Sequence, residues 1–381
     1  MAAELLASCL KVRKGEFRKP RRRDATHSGN LGTSMTDLLV DARDVKVHFG
    51  EATGSVLDFL SRKKRIIKAV DGVSLSIRKD ETVALVGESG SGKTTFGRAL
   101  VRLYEPTSGT IIFDGTDITR LKQNELLPFR RKMQIVYQNP YSSLNPRRTV
   151  GRIIGKVMEV HNVGGGEQEI KDLLHVVGLE ASLISRYPHQ LSGGQRQRVA
   201  IARALAVEPE LIIADEITSS LDVSVQAQIL NLLSDVQKQF AISFLLISHD
   251  LAVVRQVSNR VAVMYLGVVV ETGTAEELFH SPRHPYTRAL IASIPSTDMN
   301  DPWHPTELKG DIPSMIDTPP GCRFHPRCPY AWDRCKAEVP SLEETESSLH
   351  PVAWHLYSER EKKRLTEIFG TSAATPSANA N

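Results

Sequence analysis

The sequence predicts an α/β fold in which helices cover both faces of a parallel sheet. From about residue 40, short apolar runs alternate with helical patterns, and such alternation is typical of a parallel sheet. The run TVALV also leads into the glycine-rich stretch GESGSGKT and then into a helical pattern. A strand, a glycine-rich turn and a helix in this order are the context of a phosphate-binding loop.

Length and composition indicate a globular protein. The chain has 381 residues, of which 41% are hydrophobic and 24% are charged, and this length allows one large domain with an appendage or two modest domains. No apolar run reaches the roughly 18 residues of a membrane-spanning helix. The net charge of +4 comes from residues 1–34, which hold eight Lys/Arg and three acidic residues. The near-neutral remainder argues against a nucleic-acid partner.

The strand candidates are of two kinds. VDARDVKVHF and AVDGVSLSIR alternate with period two, as half-buried antiparallel strands do, and GTIIFDG resembles part of a hairpin. The apolar runs TVALV, MQIVY, ELIIAD and ISFLLIS predict buried parallel strands, and VAVMYLGVVV is also of strand length. An antiparallel subdomain is therefore expected beside the parallel core.

Residues 149–190 interrupt the alternation. VGRIIGKVMEV and EQEIKDLLHVVGL have apolar residues at helical spacing without a strand pattern between them, which predicts an inserted helical subdomain. Four segments are expected: a disordered basic extension (1–34, with Met35 as an alternative start), the main domain (35–280), a proline-rich C-terminal domain (281–360) and a partly disordered tail (361–381).

The stretch GESGSGKT fits the pattern G-x-x-x-x-G-K-S/T of a nucleotide-binding loop. The glycines let the backbone wrap phosphate groups, Lys93 is expected to reach the β- and γ-phosphates, and the Thr94 hydroxyl is expected to bind Mg²⁺. The expected nucleotide-binding residues are Gly87, Glu88, Ser89, Gly90, Ser91, Gly92, Lys93, Thr94 and Thr95.

Polar side chains end three other predicted strands. Asp215 and Glu216 come directly after ELIIA, His249 after FLLIS, and Gln138 after MQIVY. Asp215 is expected in the shell of Mg²⁺ with Thr94, while Glu216 is expected to polarise the attacking water as general base. His249 at a neighbouring strand end can contact a γ-phosphate, and Gln138 can reach the Mg²⁺ ion or the water.

A second helix start of the phosphate-binding kind lies at Ser192, Gly193, Gly194 and Gln195. Lys93 and its loop already bind the phosphates of this chain's own nucleotide. The economical interpretation is therefore that the second helix start contacts a nucleotide held by another chain. Two such domains would face each other head to tail, with each ATP between the loop of one and the Ser-Gly-Gly helix start of the other. The alternative is an ordinary helix cap, since serine is a common N-cap residue.

Together these residues resemble the nucleotide-binding domain of ATP-binding cassette (ABC) transporters over about residues 40–280. The matching order is phosphate loop, Gln138, LSGGQ, IIADE, Asp222 in SSLD, and His249. The resemblance implies an ATPase with ATP and Mg²⁺ as cofactors, a D-loop role for Asp222, and an upstream aromatic residue that stacks on adenine. Phe49 is the best match for that residue.

A narrower resemblance is to the dipeptide/oligopeptide importer ATPases, carried by YQNPYSSLNPR, SPRHPYTRALIASIP and GCRFHPRCPYAWDRC. It points to the second of the two paired ATPases of such a system. It implies a sibling ATPase, two permease subunits, an extracytoplasmic solute-binding protein, and a peripheral location on the cytoplasmic face of the membrane. The segment after Gln138 would face the permease. Ile217 departs from the family, which usually has proline there.

The C-terminal cysteines leave two interpretations open. In relatives a fourth cysteine often stands where this chain has Trp354, and four such cysteines suit an iron–sulfur cluster. Cys322, Cys328 and Cys335 remain here, with His325, His350 and His355 nearby; they can bind a cluster or zinc if a histidine completes the set. The alternative is three reduced thiols, because the C-x-x-C spacing of a structural zinc site is absent.

Three alternatives stand beside a peptide importer ATPase. Related systems carry nickel or oligosaccharides rather than peptides, and the substrate is chosen by other subunits. A soluble ABC ATPase acting on DNA or ribosomes usually has a long coiled coil or two cassettes in one chain, and this sequence has neither. A non-hydrolysing cassette is disfavoured because Glu216 and His249 are present.

Overall fold

The structure is a computed structural model that describes residues 37–50, 66–219, 221–294, 308, 310–342, 350–358 and 361. The predicted basic extension (1–34) and almost all of the predicted tail (361–381) lie outside the described residues. None of the described helices is long and apolar enough to cross a membrane.

The described strands form two sheets. An antiparallel sheet of four strands has the order β2-β1-β4-β5, and a sheet of six strands has the order β10-β9-β3-β8-β7-β6. The strands are β1 (Leu38–Gly50), β2 (Ile66–Arg78), β3 (Thr82–Val86), β4 (Ser108–Phe113), β5 (Thr116–Asp117), β6 (Met133–Val136), β7 (Leu211–Asp215), β8 (Ser243–Ser248), β9 (Arg260–Tyr265) and β10 (Val268–Thr274).

Helices connect these strands. Among the described residues they are α1 (Lys93–Leu100), α2 (Leu127–Lys132), α3 (Pro140–Ser143), α4 (Val150–Val160), α5 (Glu167–Val176), α6 (Gly193–Leu205), α7 (Val223–Phe240), α8 (Leu251–Val257), α9 (Ala275–His280), α10 (Pro285–Ala292) and α11 (Asp333–Ala337). The inserted subdomain is helical as predicted, with α4 and α5 packed on each other and on α6.

The six-stranded sheet positions the site. The pairs β3–β8, β3–β9, β6–β7 and β7–β8 are parallel, and β3, β7 and β8 are buried along their whole length. Such strands are continuous apolar runs because helices cover both faces. Parallel strands end at one edge, so the residues directly after β3, β6, β7 and β8 emerge together.

One apolar run folds differently from its strand-length prediction. VAVMYLGVVV is divided between β9 and β10, which pair antiparallel around a turn at Leu266 and Gly267. Both turn residues have positive φ, 42° and 83°, as in the two-residue hairpin turns whose twist matches the strands. Glycine adopts positive φ readily, so Gly267 fits the second turn position. Leucine rarely adopts positive φ, so Leu266 gives no signal of a turn in the sequence.

The C-terminal region packs onto the edge strand β10. The amide of Thr272 donates to the carbonyl of Pro351 at 3.0 Å, and the amide of Ala353 donates to Val270 at 2.8 Å. Cys322, Phe324 and Cys335 belong to the same apolar core as the main sheet. The boundaries proposed at residues 280 and 360 stay predictions.

Candidate functional site

The phosphate loop joins β3 to α1 through glycines that the backbone requires. Gly87, Gly90 and Gly92 have φ values of 149°, 76° and 103°, a region that other residues rarely adopt. A Cβ atom on Gly87 would lie 2.1 Å from the carbonyl oxygen of Met264, and one on Gly92 would lie 2.1 Å from that of Ala69. Backbone packing therefore fixes the loop in a conformation that only glycine allows.

Lys93 lies at the base of the loop. Its ammonium group donates to the carbonyl oxygens of Gly87 and Glu88 at 2.8 Å each. Burial lowers the pKa of Lys93, and the nearby carboxylates of Glu216 and Asp215 oppose that effect. The loop residues Ser89 and Gly90 are exposed, so a ligand can approach the loop from solvent.

The acidic residues at the end of β7 meet the loop. The Thr94 hydroxyl donates to Asp215 Oδ1 at 2.8 Å. Burial raises the pKa of Asp215, although this hydrogen bond and two nearby cations, Arg98 and Lys93, lower it in part. The structure thus brings together a hydroxyl and a carboxylate that are distant in sequence.

Glu216 is surrounded by the other predicted polar residues. Gln138 donates through Nε2 to Glu216 Oε2 at 2.8 Å and to the Ser219 hydroxyl at 3.2 Å. Nδ1 of His249 lies 3.6 Å from Glu216 Oε1. The amide of Glu216 donates to the carbonyl of Ile247 in β8 at 2.9 Å. A carboxylate held by an amide and beside an imidazole can orient and polarise a water molecule.

The helix start at Ser192 is a capping box. The Ser192 hydroxyl accepts from the amide of Gln195 at 3.2 Å, and Gln195 Oε1 accepts from the amide of Ser192 at 3.0 Å. Ser192 and Gly193 are exposed. A Cβ atom on Gly194 would lie 2.7 Å from Val225 Cγ1. The cap interpretation and the second-chain interpretation are therefore compatible, because the capped helix start leaves Ser192 and Gly193 exposed to solvent.

Two more predicted residues lie at the surface near helix and strand ends. Asp222 precedes α7 and is exposed, and its side chain makes no capping hydrogen bond. Phe49 near the end of β1 is 37% exposed and contacts the edge of Tyr104, with ring centroids 5.4 Å apart. Residues 51–65, the insertion directly after β1, lie outside the described residues.

The C-terminal cysteines do not form a metal site in the described part of the chain, where no group of three His, Cys, Asp or Glu side chains is arranged to hold an ion. Burial raises the pKa of Cys322 to about 11 and that of Cys328 to about 12 in the metal-free chain.

The neighbouring histidines have other partners. His350 pairs with Glu271 at 2.6 Å, Nδ1 of His325 contacts the Cys322 carbonyl at 2.9 Å, and Nε2 of His355 contacts that of Glu338 at 3.0 Å. The structure gives no support for the iron–sulfur cluster or zinc ion that the sequence left open.

Contacts between the loop and the C-terminal region have no signal in the sequence. The amide of Glu88 donates to the Tyr286 hydroxyl at 2.7 Å, and Arg327 forms an ion pair with the Glu88 carboxylate. These partners are 198 and 239 residues away in the chain, too far for any local pattern to reveal.

The site combines a phosphate loop, a strand end that bears carboxylates and an exposed Ser-Gly-Gly helix start. Together these features define an ATPase of the ABC class. The family model for ABC transporters matches residues 70–219, and the model for the C-terminal region of oligopeptide/dipeptide transporters matches residues 270–335.

The chain is similar to named ATP-binding proteins over most of its length. It is 47% identical to the oligopeptide transport ATP-binding protein AppF of Bacillus subtilis, over 84% of this chain and 98% of that protein. It is 50% identical to the probable peptide ABC transporter ATP-binding protein y4tS of Sinorhizobium fredii, over 81% of this chain and 87% of that protein. The chain therefore belongs to the ATP-binding proteins of the oligopeptide ABC transporter family, which confirms the predicted resemblance.

Solved structures have the same fold. A dimeric post-hydrolysis state of the ATP-binding cassette MJ0796, bound to ADP and Pi, matches with a TM-score of 0.55 and 30% identity, over 62% of this chain and 98% of that chain. The CbiO1 structure from Clostridium perfringens, part of the transporter complex CbiONQ, matches with a TM-score of 0.54 and 27% identity, over 64% of this chain and 92% of that one. The predicted fold class is confirmed.

Proposed function

We propose that this ATPase powers peptide import through a membrane ABC transporter, with its active site formed by the cluster of Thr94, Gln138, Asp215, Glu216 and His249. The cluster carries the proposal because its side chains come from three separate strand ends and from the start of α1, and are joined by the contacts described above. Peptide as substrate is supported by relatives named for oligopeptide or peptide transport.

The loop residues hold the nucleotide. Backbone amides from Gly87 to Thr95 surround the phosphates, with Lys93 as the buried cation among them and with the partly exposed Phe49 ring beside adenine. Glycine positions let the backbone approach the phosphates closely, and the lysine neutralises charge that develops on them.

Mg²⁺ fits the oxygen atoms at the start of α1 and at the neighbouring strand ends. Thr94 supplies a hydroxyl, Asp215 a carboxylate and Gln138 an amide, and the first two already contact each other at 2.8 Å. Magnesium prefers a few oxygen ligands from protein, completed by water and substrate phosphates. When bound, the ion neutralises charge on the phosphates of ATP.

Glu216 accepts a proton from the attacking water. Gln138 holds one carboxylate oxygen, and His249 lies beside the other, 55% exposed and therefore accessible to a γ-phosphate. General-base catalysis of this kind contributes about 10²–10⁴-fold in rate. The remaining acceleration comes from positioning and charge neutralisation by the loop.

The ATP site is completed by a sibling ATPase chain. Ser192, Gly193, Gly194 and Gln195 would face the nucleotide held by that chain, and Asp222 would lie at the same interface. The exposed helix start at Ser192 and the dimeric solved relative support this arrangement.

Permease subunits would dock on the segment directly after Gln138. Here α3 and the next residues border a surface cavity of about 650 Å³, lined by Tyr141, Ser143, Leu144, Asn145, Pro146 and Arg147. Two permeases, an extracytoplasmic binding protein and a peripheral position on the cytoplasmic face complete the proposed system.

Purification of the tagged chain from membranes, together with peptide-uptake assays, tests the proposal. Permease subunits and a second ATPase are expected to co-purify, and Glu216→Gln is expected to retain them while abolishing peptide uptake. Normal peptide uptake in cells that carry only the Glu216→Gln chain would refute the assignment. Loss of uptake for nickel or an oligosaccharide instead would refute the peptide substrate while leaving the ATPase role.

A further inference from the structure

The phosphate loop carries an acidic residue, Glu88, which pairs with a buried arginine of the C-terminal region. Arg327 donates through Nη1 to Glu88 Oε2 at 2.7 Å and through Nη2 to Oε1 at 3.1 Å. The Arg327 side chain is only 7% exposed. Burial disfavours its charge, but the pairing with Glu88 outweighs that effect and raises the pKa of Arg327. A bidentate pair of this kind fixes direction as well as charge.

The backbone of Glu88 is held from the same region. Its amide donates to the hydroxyl of Tyr286, a fully buried residue of α10. The Tyr286 ring packs against Tyr265 and Phe324, with centroid distances of 4.8 and 5.5 Å. Both the main chain and the side chain of one loop residue are therefore fixed by residues that lie after the parallel core in sequence.

A second contact reaches the loop through the turn between β9 and β10. The amide of Gly267 donates to the carbonyl of Ser91 at 2.9 Å. Arg323 in turn hydrogen-bonds the carbonyl of Leu266 in that turn and the Asp71 carboxylate of β2. The C-terminal region thus contacts the loop directly at Glu88 and indirectly at Ser91.

The charge of Glu88 gives these contacts a consequence for ligand binding. A carboxylate within a phosphate loop repels the anionic phosphates that the loop binds, and the repulsion is strong where water is excluded. Arg327 neutralises that carboxylate, and Lys93, whose ammonium group contacts the Glu88 carbonyl at 2.8 Å, remains available for the phosphates.

We infer that Arg327 is a positioning residue of the nucleotide site, which neutralises the Glu88 carboxylate and thereby holds the phosphate loop in place for ATP. The inference rests on the proposed function of the loop. The C-terminal region is then a working part of the ATP site.

A charge cycle in the full-length chain tests this inference, with dissociation constants for Mg·ATP and for adenosine as the readouts. The variants are Arg327→Gln, Glu88→Gln and the double variant. Arg327→Gln is expected to weaken Mg·ATP binding by about tenfold, since like charges several ångströms apart repel appreciably at a protein surface. The double variant is expected to recover most of that loss, because the unpaired carboxylate is gone. Adenosine has no phosphates, so its binding should change little in any variant.

Arg334→Gln is the matched control. Arg334 also belongs to the C-terminal region and pairs with a carboxylate, Glu338 at 2.8 Å, but neither residue contacts the loop in the described structure. The Arg334→Gln variant should bind Mg·ATP with the affinity of the wild type. If Arg327→Gln does not fold, Arg327→Lys serves in its place, with a smaller loss and the same recovery by Glu88→Gln.

Four results separate the outcomes. A wild-type chain that binds no Mg·ATP would refute the proposed function itself. Normal Mg·ATP affinity in Arg327→Gln would overturn the role of Arg327 and leave the proposed function standing. A double variant weaker than Arg327→Gln, or an equal loss for adenosine, would show that the pair only supports the fold, which also overturns the inference.

Discussion

Substitutions at Ser192 can separate its role as a helix cap from its proposed role at the ATP of a sibling chain. The capping box needs an oxygen acceptor for the amide of Gln195, which lies 3.2 Å from the Ser192 hydroxyl. Asp caps a helix about as well as Ser, whereas Ala does not cap it. Ser192→Asp therefore keeps the cap and adds a negative charge, while Ser192→Ala removes the cap and adds no charge.

The two variants have opposite expected effects. Loss of an N-cap costs about 1 kcal/mol, which lowers the melting temperature of a domain of this size by about 2–4 °C. Ser192→Ala should show that loss with only a modest loss of ATPase activity. A carboxylate about 4 Å from a phosphate of the opposing ATP costs about 4 kcal/mol at an effective dielectric constant of about 20, or roughly a thousandfold in closure of the pair.

Three measurements on each variant test this reasoning. They are the melting temperature, Mg·ATP affinity of the isolated chain, and ATPase activity with the sibling ATPase and permeases. Ser192→Asp should have the melting temperature and the Mg·ATP affinity of the wild type, but it should show no ATPase activity in the assembly with the sibling ATPase and permeases. Ser192→Arg should also bind normally and fail in the assembly, because a bulky side chain fills the gap that must close.

One result would refute the two-chain arrangement. If Ser192→Asp weakens Mg·ATP binding in the isolated chain as much as Lys93→Ala does, the helix start serves the chain's own nucleotide. If instead Ser192→Asp is fully active in the assembly and only Ser192→Ala is impaired, the stretch is a helix cap without a role in ATP hydrolysis.

The described contacts support three further predictions. Glu216→Gln should keep Mg·ATP affinity and lower ATP turnover by about 10²–10⁴-fold; near-normal turnover would contradict its role as base. Burial raises the pKa of Asp215, so its charge costs stability as pH rises through that pKa; Asp215→Asn should raise the melting temperature at neutral pH while weakening Mg²⁺-dependent binding by at least about 10–100-fold. Burial alone would raise the pKa of Glu271, but the hydrogen bond and charge of His350 lower it. The charged Glu271 carboxylate therefore stabilises the fold above the ordinary carboxyl pKa, and this stabilisation is lost as pH falls through the lowered pKa of Glu271. Acid unfolding profiles of Glu271→Gln should lack this pH-dependent loss of stability.

The parallel core and its site were predictable because their signals are local. A continuous apolar run before a glycine-rich turn or an acidic pair specifies a buried strand and the site residues directly after it, so β3 and β7 coincide with TVALV and LIIAD. Parallel pairing then brings these strand ends to one edge of the sheet, but the order that places β8 between β3 and β7 is not visible in the sequence. The helices α4 and α5 were similarly visible because their apolar residues recur at helical spacing.

The C-terminal region was less predictable because its contacts are long-range. Pro351 pairs with β10, and His350 pairs with the fully buried Glu271, 79 residues away in the chain. Neither contact produces a pattern along the sequence. The histidine and cysteine content of this region left a metal site and reduced thiols open as alternatives, whereas in the structure His350 forms a buried hydrogen bond with Glu271.

The departure at Ile217 shows how a local change can be offset by packing. A proline there would restrict the turn after Glu216, an effect worth about 0.4–1 kcal/mol through the unfolded chain. Ile217 instead is 1% exposed within the main core, and full burial of an isoleucine contributes about 1.5–3 kcal/mol. The turn is also closed by the amide of Ser219, which donates to the Glu216 carbonyl at 3.2 Å. Glu216 itself has a φ of 49°, a conformation that costs energy in a non-glycine residue and that its hydrogen bond to Ile247 and the buried Ile217 hold in place. The carboxylate is therefore positioned by the strands and the core on either side of it, and it does not depend on a proline.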